Sequence, residues 1–148
     1  HQIIEKLHAC IEKNHPIYLI GYTFMLYQIL IAFEKRGIKL TLPNGSILVH
    51  FGGWKKMQNL KVEKKELNKV IARTLGMDIK NIYDIYGFTE QLGTIYPSSG
   101  HNYTKVPTQS RVIVRDTQSL LPIEDKIGFL QFINPFLIFF IVMIGNLY

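Results

Sequence analysis

The chain has one cysteine, Cys10, in 148 residues. A lone thiol excludes an internal disulfide framework and any cysteine-built metal cluster. It fits a reducing, cytoplasmic compartment. Acidic residues are scarce: 11 Asp and Glu stand against 17 Lys and Arg, a net charge of +6. The excess collects at Lys55, Lys56, Lys61, Lys64, Lys65 and Lys69, with Glu63 and Glu66 between them. Interleaved charges of both signs read as a solvated helix face. A zinc pattern, an RNA-binding aromatic motif and an arginine stripe are missing, so no nucleic-acid partner is expected. The longest apolar run, 136–144, is short of the roughly 20 residues of a spanning helix, so no membrane partner is expected either. No secretory signal pattern opens the chain. It begins at His1 inside a helical pattern, which reads as a fragment.

An apolar content of 47% suffices for a real core. Ile3, Ile4, Leu7 and Ile11 recur near a 3.6-residue period, which predicts a helix over 1–14. The apolar run 17–20 predicts a strand buried in a parallel sheet and ended by Gly21. Residues 22–36 read as a helix closed by Gly37, 38–42 as a strand, and 47–49 as another buried strand. Val62, Leu67, Val70, Ile71 and Leu75 share one face of a helix over 62–75, capped by Gly76. Further strands are expected at 82–86, 92–96, 111–115 and 128–133, with a polar loop over 97–107. Alternating strands and helices make this an α/β chain with a mostly parallel sheet and flanking helices.

The chemistry concentrates where predicted strands end in glycine. The strand 82–86 runs into Tyr86-Gly87-Phe88-Thr89-Glu90. Glycine permits a tight turn at the strand end. Thr89 offers a hydroxyl donor to a phosphate, and Glu90 a hard oxygen ligand suited to Mg²⁺. Tyr86 offers an aromatic face suited to adenine. The strand 47–49 runs into His50-Phe51-Gly52-Gly53-Trp54-Lys55-Lys56. Gly52 and Gly53 read equally as a plain turn or as a loop that approaches a ligand. Two glycine-ended strands around a helix suit a ligand held at a sheet's carboxyl edge.

Four stretches carry a family resemblance: 16–25 (Pro-Ile-Tyr-Leu-Ile-Gly-Tyr-Thr-Phe-Met), Gly52-Gly53-Trp54-Lys55-Lys56, 86–93 (Tyr-Gly-Phe-Thr-Glu-Gln-Leu-Gly) and Val112-Ile113-Val114-Arg115-Asp116. They resemble the adenylate-forming superfamily and, more narrowly, the LuxE-type acyl-protein synthetases. That resemblance implies the following. Residues 1–135 are the central part of an adenylate-forming large domain, and 136–148 are an apolar tail foreign to the family. The intact ligase uses ATP and Mg²⁺ to activate a long-chain fatty acid as acyl-adenylate, then passes it to a protein thiol. It works with the acyl-transferase and reductase subunits of a fatty-acid reductase complex, as in bioluminescence. Tyr86 packs on adenine, Thr89 bonds the α-phosphate, and Glu90 holds Mg²⁺. Gly52, Gly53 and Gly87 wall the nucleotide site. Tyr22, Phe24 and Trp54 line the acyl pocket, although helical aromatics also read as plain core. The superfamily's phosphate loop, ribose-binding acid and catalytic lysine have no match in the sequence, so acyl transfer by this chain alone is not expected. Two other readings stand beside this one: a phenylacetate-type coenzyme A ligase fragment, and a non-catalytic remnant or basic docking module. His50, after a strand, reads as a satisfied structural histidine, with a place near the acyl pocket as the other reading, and Asp116 reads as the cap of a turn.

Overall fold

The computed structural model describes residues 2–87, 94–99, 103–134 and 142–143. The chain forms two compact units, one of residues 1–86 and 97–104, the other of 87–96 and 105–148.

The first unit opens with α1 (Gln2–Glu12), β1 (Tyr18–Tyr22), α2 (Thr23–Lys35) and β2 (Ile47–Phe51). A 3₁₀ turn at Lys55–Leu60, then α3 (Lys64–Leu75), β3 (Ile82–Tyr86) and β4 (Tyr96–Ser99) follow. The sheet order is β1-β2-β3-β4, with β1–β2 and β2–β3 parallel. Helices α2 and α3 are the crossovers that parallel pairing requires. The register is in step, Tyr22 beside Phe51 and Phe51 beside Ile85. The three strands therefore end together at one carboxyl edge.

The α3 pattern behaves as its period demands. Leu67, Val70, Ile71 and Leu75 are buried, and Val62 packs against the same core. They meet Leu30 and Phe33 of α2 and Leu48 and Ile82 of the sheet in one apolar cluster. Each fully buried side chain of this kind contributes about 1.5–3 kcal/mol. Gly76 ends α3 at φ +58°, the left-handed cap glycine adopts most cheaply.

Two local expectations fail in this unit. Residues 38–42 form no strand. Leu40 and Leu42 are buried, but their amides donate to the carbonyls of Thr74 and Leu75 at 2.9 Å each. The segment thus satisfies carbonyls that the end of α3 leaves without helical donors. The strand expected at 17–20 forms one residue later, holds Gly21 inside it, and is not buried. Tyr18 and Ile20 are 74% and 76% exposed, because β1 is the outermost strand of its sheet.

The second unit contains β5 (Arg111–Arg115), β6 (Phe129–Ile133) and β7 (Val142–Met143), antiparallel in that order. Asp116 does cap the turn after β5: its Oδ1 accepts from the amides of Gln118 at 3.0 Å and Ser119 at 2.8 Å. Those donors hold its carboxyl below the usual carboxylate range. The strand expected at 92–96 starts only at Tyr96, and 92–93 lie outside the described residues. β4 takes up the first part of the stretch expected to be a loop.

Candidate functional site

The carboxyl edge of β1, β2 and β3 gathers the predicted site residues from the first unit. Tyr22 closes β1, and its ring lies 4.7 Å from Phe51 at the end of β2 and 6.2 Å from Phe24. Gly52 follows at φ +78°, where a side chain is strained. A Cβ there would sit 3.5 Å from the Tyr22 ring. Among the described residues no atom lies within 4 Å of a Cβ built on Gly53. Trp54 follows the two glycines in the chain. It is buried and meets Tyr27 of α2 edge-on at 5.1 Å. Tyr22 and Phe24 thus come together, with Tyr22 beside Gly52, while the ring contact of Trp54 is with Tyr27. Tyr86 closes β3 and is 43% exposed, and Gly87 follows it in the chain. Thr89 and Glu90 lie outside the described residues.

An apolar groove of about 560 Å³ runs between α1, β1 and α2. Ile3, Ile20, Tyr22, Met25 and Ile29 are among its lining residues, and Phe24 and Trp54 are not. No group of three or more possible metal ligands occurs among the described residues. No helix among them is long and apolar enough to cross a membrane.

Behind this edge lies a polar network that periodicity could not reveal. His50 sits inside β2, not after it, and is 2% exposed. Its Nδ1 is 2.9 Å from the Thr23 hydroxyl and 3.8 Å from the Asp84 carboxylate. Asp84 is its register partner on β3. Lys64, at the start of α3, pairs with the other Asp84 oxygen at 3.0 Å and donates to Ser98 of β4. Lys64 is therefore not the merely solvated lysine that its charge pattern suggested. Thr23 also donates to the Phe51 carbonyl at 3.2 Å. His50 Nε2 is buried and has no hydrogen-bond partner among the described residues. The histidine is half satisfied, contrary to the expectation of a satisfied one. Sequence analysis singled out His50 but missed Thr23, Asp84, Lys64 and Ser98, since only strand register brings them together.

Burial holds the His50 pKa below its ordinary value. Asp84 opposes that shift and Lys64 adds to it. Unfolded, the imidazole takes a proton near pH 6.5; folded, it does so only at lower pH. Its contribution to stability is complete above about pH 6.5 and is lost as pH falls towards the folded value. Thermal melts from pH 8 to pH 5 should show a fall in Tm that flattens in His50→Asn. An unchanged slope in that variant would remove His50 as the titrating group.

The family model for acyl-protein synthetase, LuxE, matches residues 1–144. The chain belongs to the LuxE acyl-protein synthetase family. No curated protein matches it. The fold of this LuxE-family chain is that of adenylate-forming enzymes. A structure of McyG A-PCP complexed with phenylalanyl-adenylate superposes with a TM-score of 0.56 at 17% identity, over 90% of this chain and 25% of that one. ATP-bound MatB from Rhodopseudomonas palustris gives 0.55 at 12% identity, over 80% of this chain and 22% of that one. Apo MatB from the same organism gives 0.52 at 13%. The LuxE-family chain thus spans about a quarter of the length of these enzymes.

Proposed function

We propose that the chain is the nucleotide-binding core of a ligase that activates a long-chain fatty acid as acyl-adenylate and passes the acyl group to a protein thiol. The carrying observation is the in-step parallel register, which brings Tyr22, Phe51-Gly52-Gly53 and Tyr86 to one strand end. Ligands of open parallel sheets bind at that end. Membership of the LuxE acyl-protein synthetase family supports an acyl donor and a protein acceptor.

The residues suit a nucleotide. No described atom lies within 4 Å of a Cβ built on Gly53, which supports close approach of a ligand, and the Tyr86 ring is part-exposed for stacking. Bound ATP would supply the α-phosphorus that the fatty acid carboxylate attacks, its bond to the bridging oxygen breaking as pyrophosphate leaves. Thr89 would donate to the α-phosphate, and Glu90 would hold Mg²⁺. Placement and charge neutralisation carry such a reaction. Tyr22 and Phe24 would face the acyl chain, with the apolar groove beside Tyr22 as its continuation; Trp54 would support that wall from beneath. The acyl-transferase and reductase subunits of a fatty-acid reductase complex are the proposed partners, and the cytoplasm the proposed compartment.

Equilibrium binding of ATP with and without Mg²⁺ tests this reading. Tyr86→Ala should weaken binding about tenfold, the scale of one lost base–aromatic stack. Glu90→Ala should abolish the Mg²⁺ dependence while Tm stays within a few degrees. Unchanged affinity in both variants would leave a non-catalytic protein. An exchange assay on the intact ligase that prefers an aryl acid would point to a coenzyme A ligase instead.

A further inference from the structure

The half-satisfied His50 is the most informative group outside the predicted site. Thr23 has one hydroxyl proton, and the Phe51 carbonyl at 3.2 Å takes it. The 2.9 Å contact between Thr23 Oγ1 and His50 Nδ1 is then donated by the nitrogen. The Asp84 carboxylate, 3.8 Å from that same nitrogen, favours a proton there. The network therefore assigns the Nδ1–H tautomer. It also gives the hydrogen bonds a direction, from His50 to Thr23 to Phe51. Phe51 is the last residue of β2, and the left-handed turn at Gly52 begins one bond later.

We infer that His50 is the positioning residue of the Gly52–Gly53 turn, directing the Thr23 hydroxyl onto the Phe51 carbonyl and so fixing the peptide that leads into the nucleotide site. The role of that site rests on the function proposed above; the positioning itself does not. Thr23 is the first residue of α2, between Tyr22 and Phe24. The same bond therefore also ties the proposed acyl-pocket aromatics to the turn. Three side chains face the imidazole: Thr23 from α2, Asp84 from β3 and Lys64 from α3. Its register partner on β1, Gly21, brings no titratable group. A second proton on Nε2 would meet no acceptor among the described residues and would sit in the field of Lys64. The Nδ1–H donor to Thr23 would stay in place.

The test uses the full chain, with amide NMR of Gly52 and Gly53 and titration with Mg²⁺-ATP. His50→Leu and Thr23→Val should each shift both glycine amides and raise the ATP Kd about tenfold, the worth of one buried hydrogen bond. The double variant should be no worse than either single one, because both break the same chain of bonds. His50→Asn places an amide N–H near the Nδ1 position and should restore affinity. Additive losses, unmoved glycine amides, or a His50→Asn variant as weak as His50→Leu would each overturn the proposal. If His50→Leu does not fold, Thr23→Val, which keeps the shape and removes the hydroxyl, decides alone. If wild type binds no ATP, the nucleotide reading falls, and the glycine amides still judge the positioning.

Discussion

Replacing Gly76 by alanine should lower Tm by about 10 °C or more. Two costs coincide at this position. The residue sits at φ +58°, so a Cβ meets the steric penalty of left-handed backbone, about 1–2 kcal/mol. That Cβ would also lie 2.7 Å from the Leu40 carbonyl oxygen and 2.8 Å from Thr41 Cα. Both are backbone atoms, and they are held there by the Leu40 amide on Thr74 and the Leu42 amide on Leu75. They cannot give way without breaking those bonds. Overpacking of this kind costs about 1–3 kcal/mol, and each kcal/mol moves Tm by several degrees in a domain of this size. Gly37→Ala is the matched control. Gly37 has φ +67° and nothing within 4 Å of a built Cβ, so it carries the backbone strain alone. Thermal melts of both variants separate the terms. Equal losses would mean that 40–42 does not lie against the end of α3.

That control bears on how much of the molecule its sequence displays. The end of α3 is legible, because glycine after an amphipathic run is a local signal. So are α2 with Gly37 and the strand at 82–86. What lies against the end of α3 is not legible. The run Ile38-Lys39-Leu40-Thr41-Leu42 alternates as a strand does, and the burial of Leu40 and Leu42 follows that alternation. It differs from a strand only in its hydrogen-bond partners, which are helix carbonyls far along the chain. β1 shows the converse. Tyr18, Leu19 and Ile20 are as apolar as any core strand, but two of the three point to solvent, because an edge position is decided by what pairs alongside.

The candidate site divides along the same line. Gly52, Gly53 and Tyr86 are marked by strand ends and by their own chemistry, so local text was enough to single them out. The network behind them is spread over Thr23, His50, Lys64, Asp84 and Ser98, one on each of α2, β2, α3, β3 and β4. The pairing of β2 with β3 is what puts His50 beside Asp84. No period or motif encodes that adjacency, so a histidine ahead of two glycines looked incidental. The basic run misled for a related reason. Lys64 and Lys65 are neighbours in sequence, but only Lys64 starts α3 on the side that faces Asp84 and Ser98.

Replacing Gly128 by alanine should open the sheet of the second unit. Gly128 immediately precedes β6, where Phe129 pairs with Arg115 of β5. A Cβ at 128 would drive into the Arg115 carbonyl oxygen, and it would lie 3.0 Å from both the Arg115 carbonyl carbon and Ile123 Cδ1. The Ile123 side chain can rotate, but the Arg115 backbone cannot retreat easily. Its guanidinium donates to Gln131 of β6 and to the Leu120 carbonyl, each at 2.7 Å, and the Asp116 amide bonds the Leu121 carbonyl at 2.9 Å. The strand and the capped turn after it therefore resist as one piece. Relief must come from parting β5 and β6 at this end, with a loss of about 1–3 kcal/mol. Hydrogen exchange reads this directly, since amides of a loosened ladder exchange through local opening. The β5 and β6 amides nearest Arg115 and Phe129 should exchange at least about tenfold faster in Gly128→Ala. Gly21→Ala, inside β1 with nothing within 4 Å of its Cβ, should leave exchange in its own strand unchanged. If Gly128→Ala is as silent as Gly21→Ala, the close approach of Gly128 to Arg115 is wrong. The Val112–Asp116 stretch, one of the four that resemble the family, would then lose its role as the rigid strand and turn on which β6 is aligned.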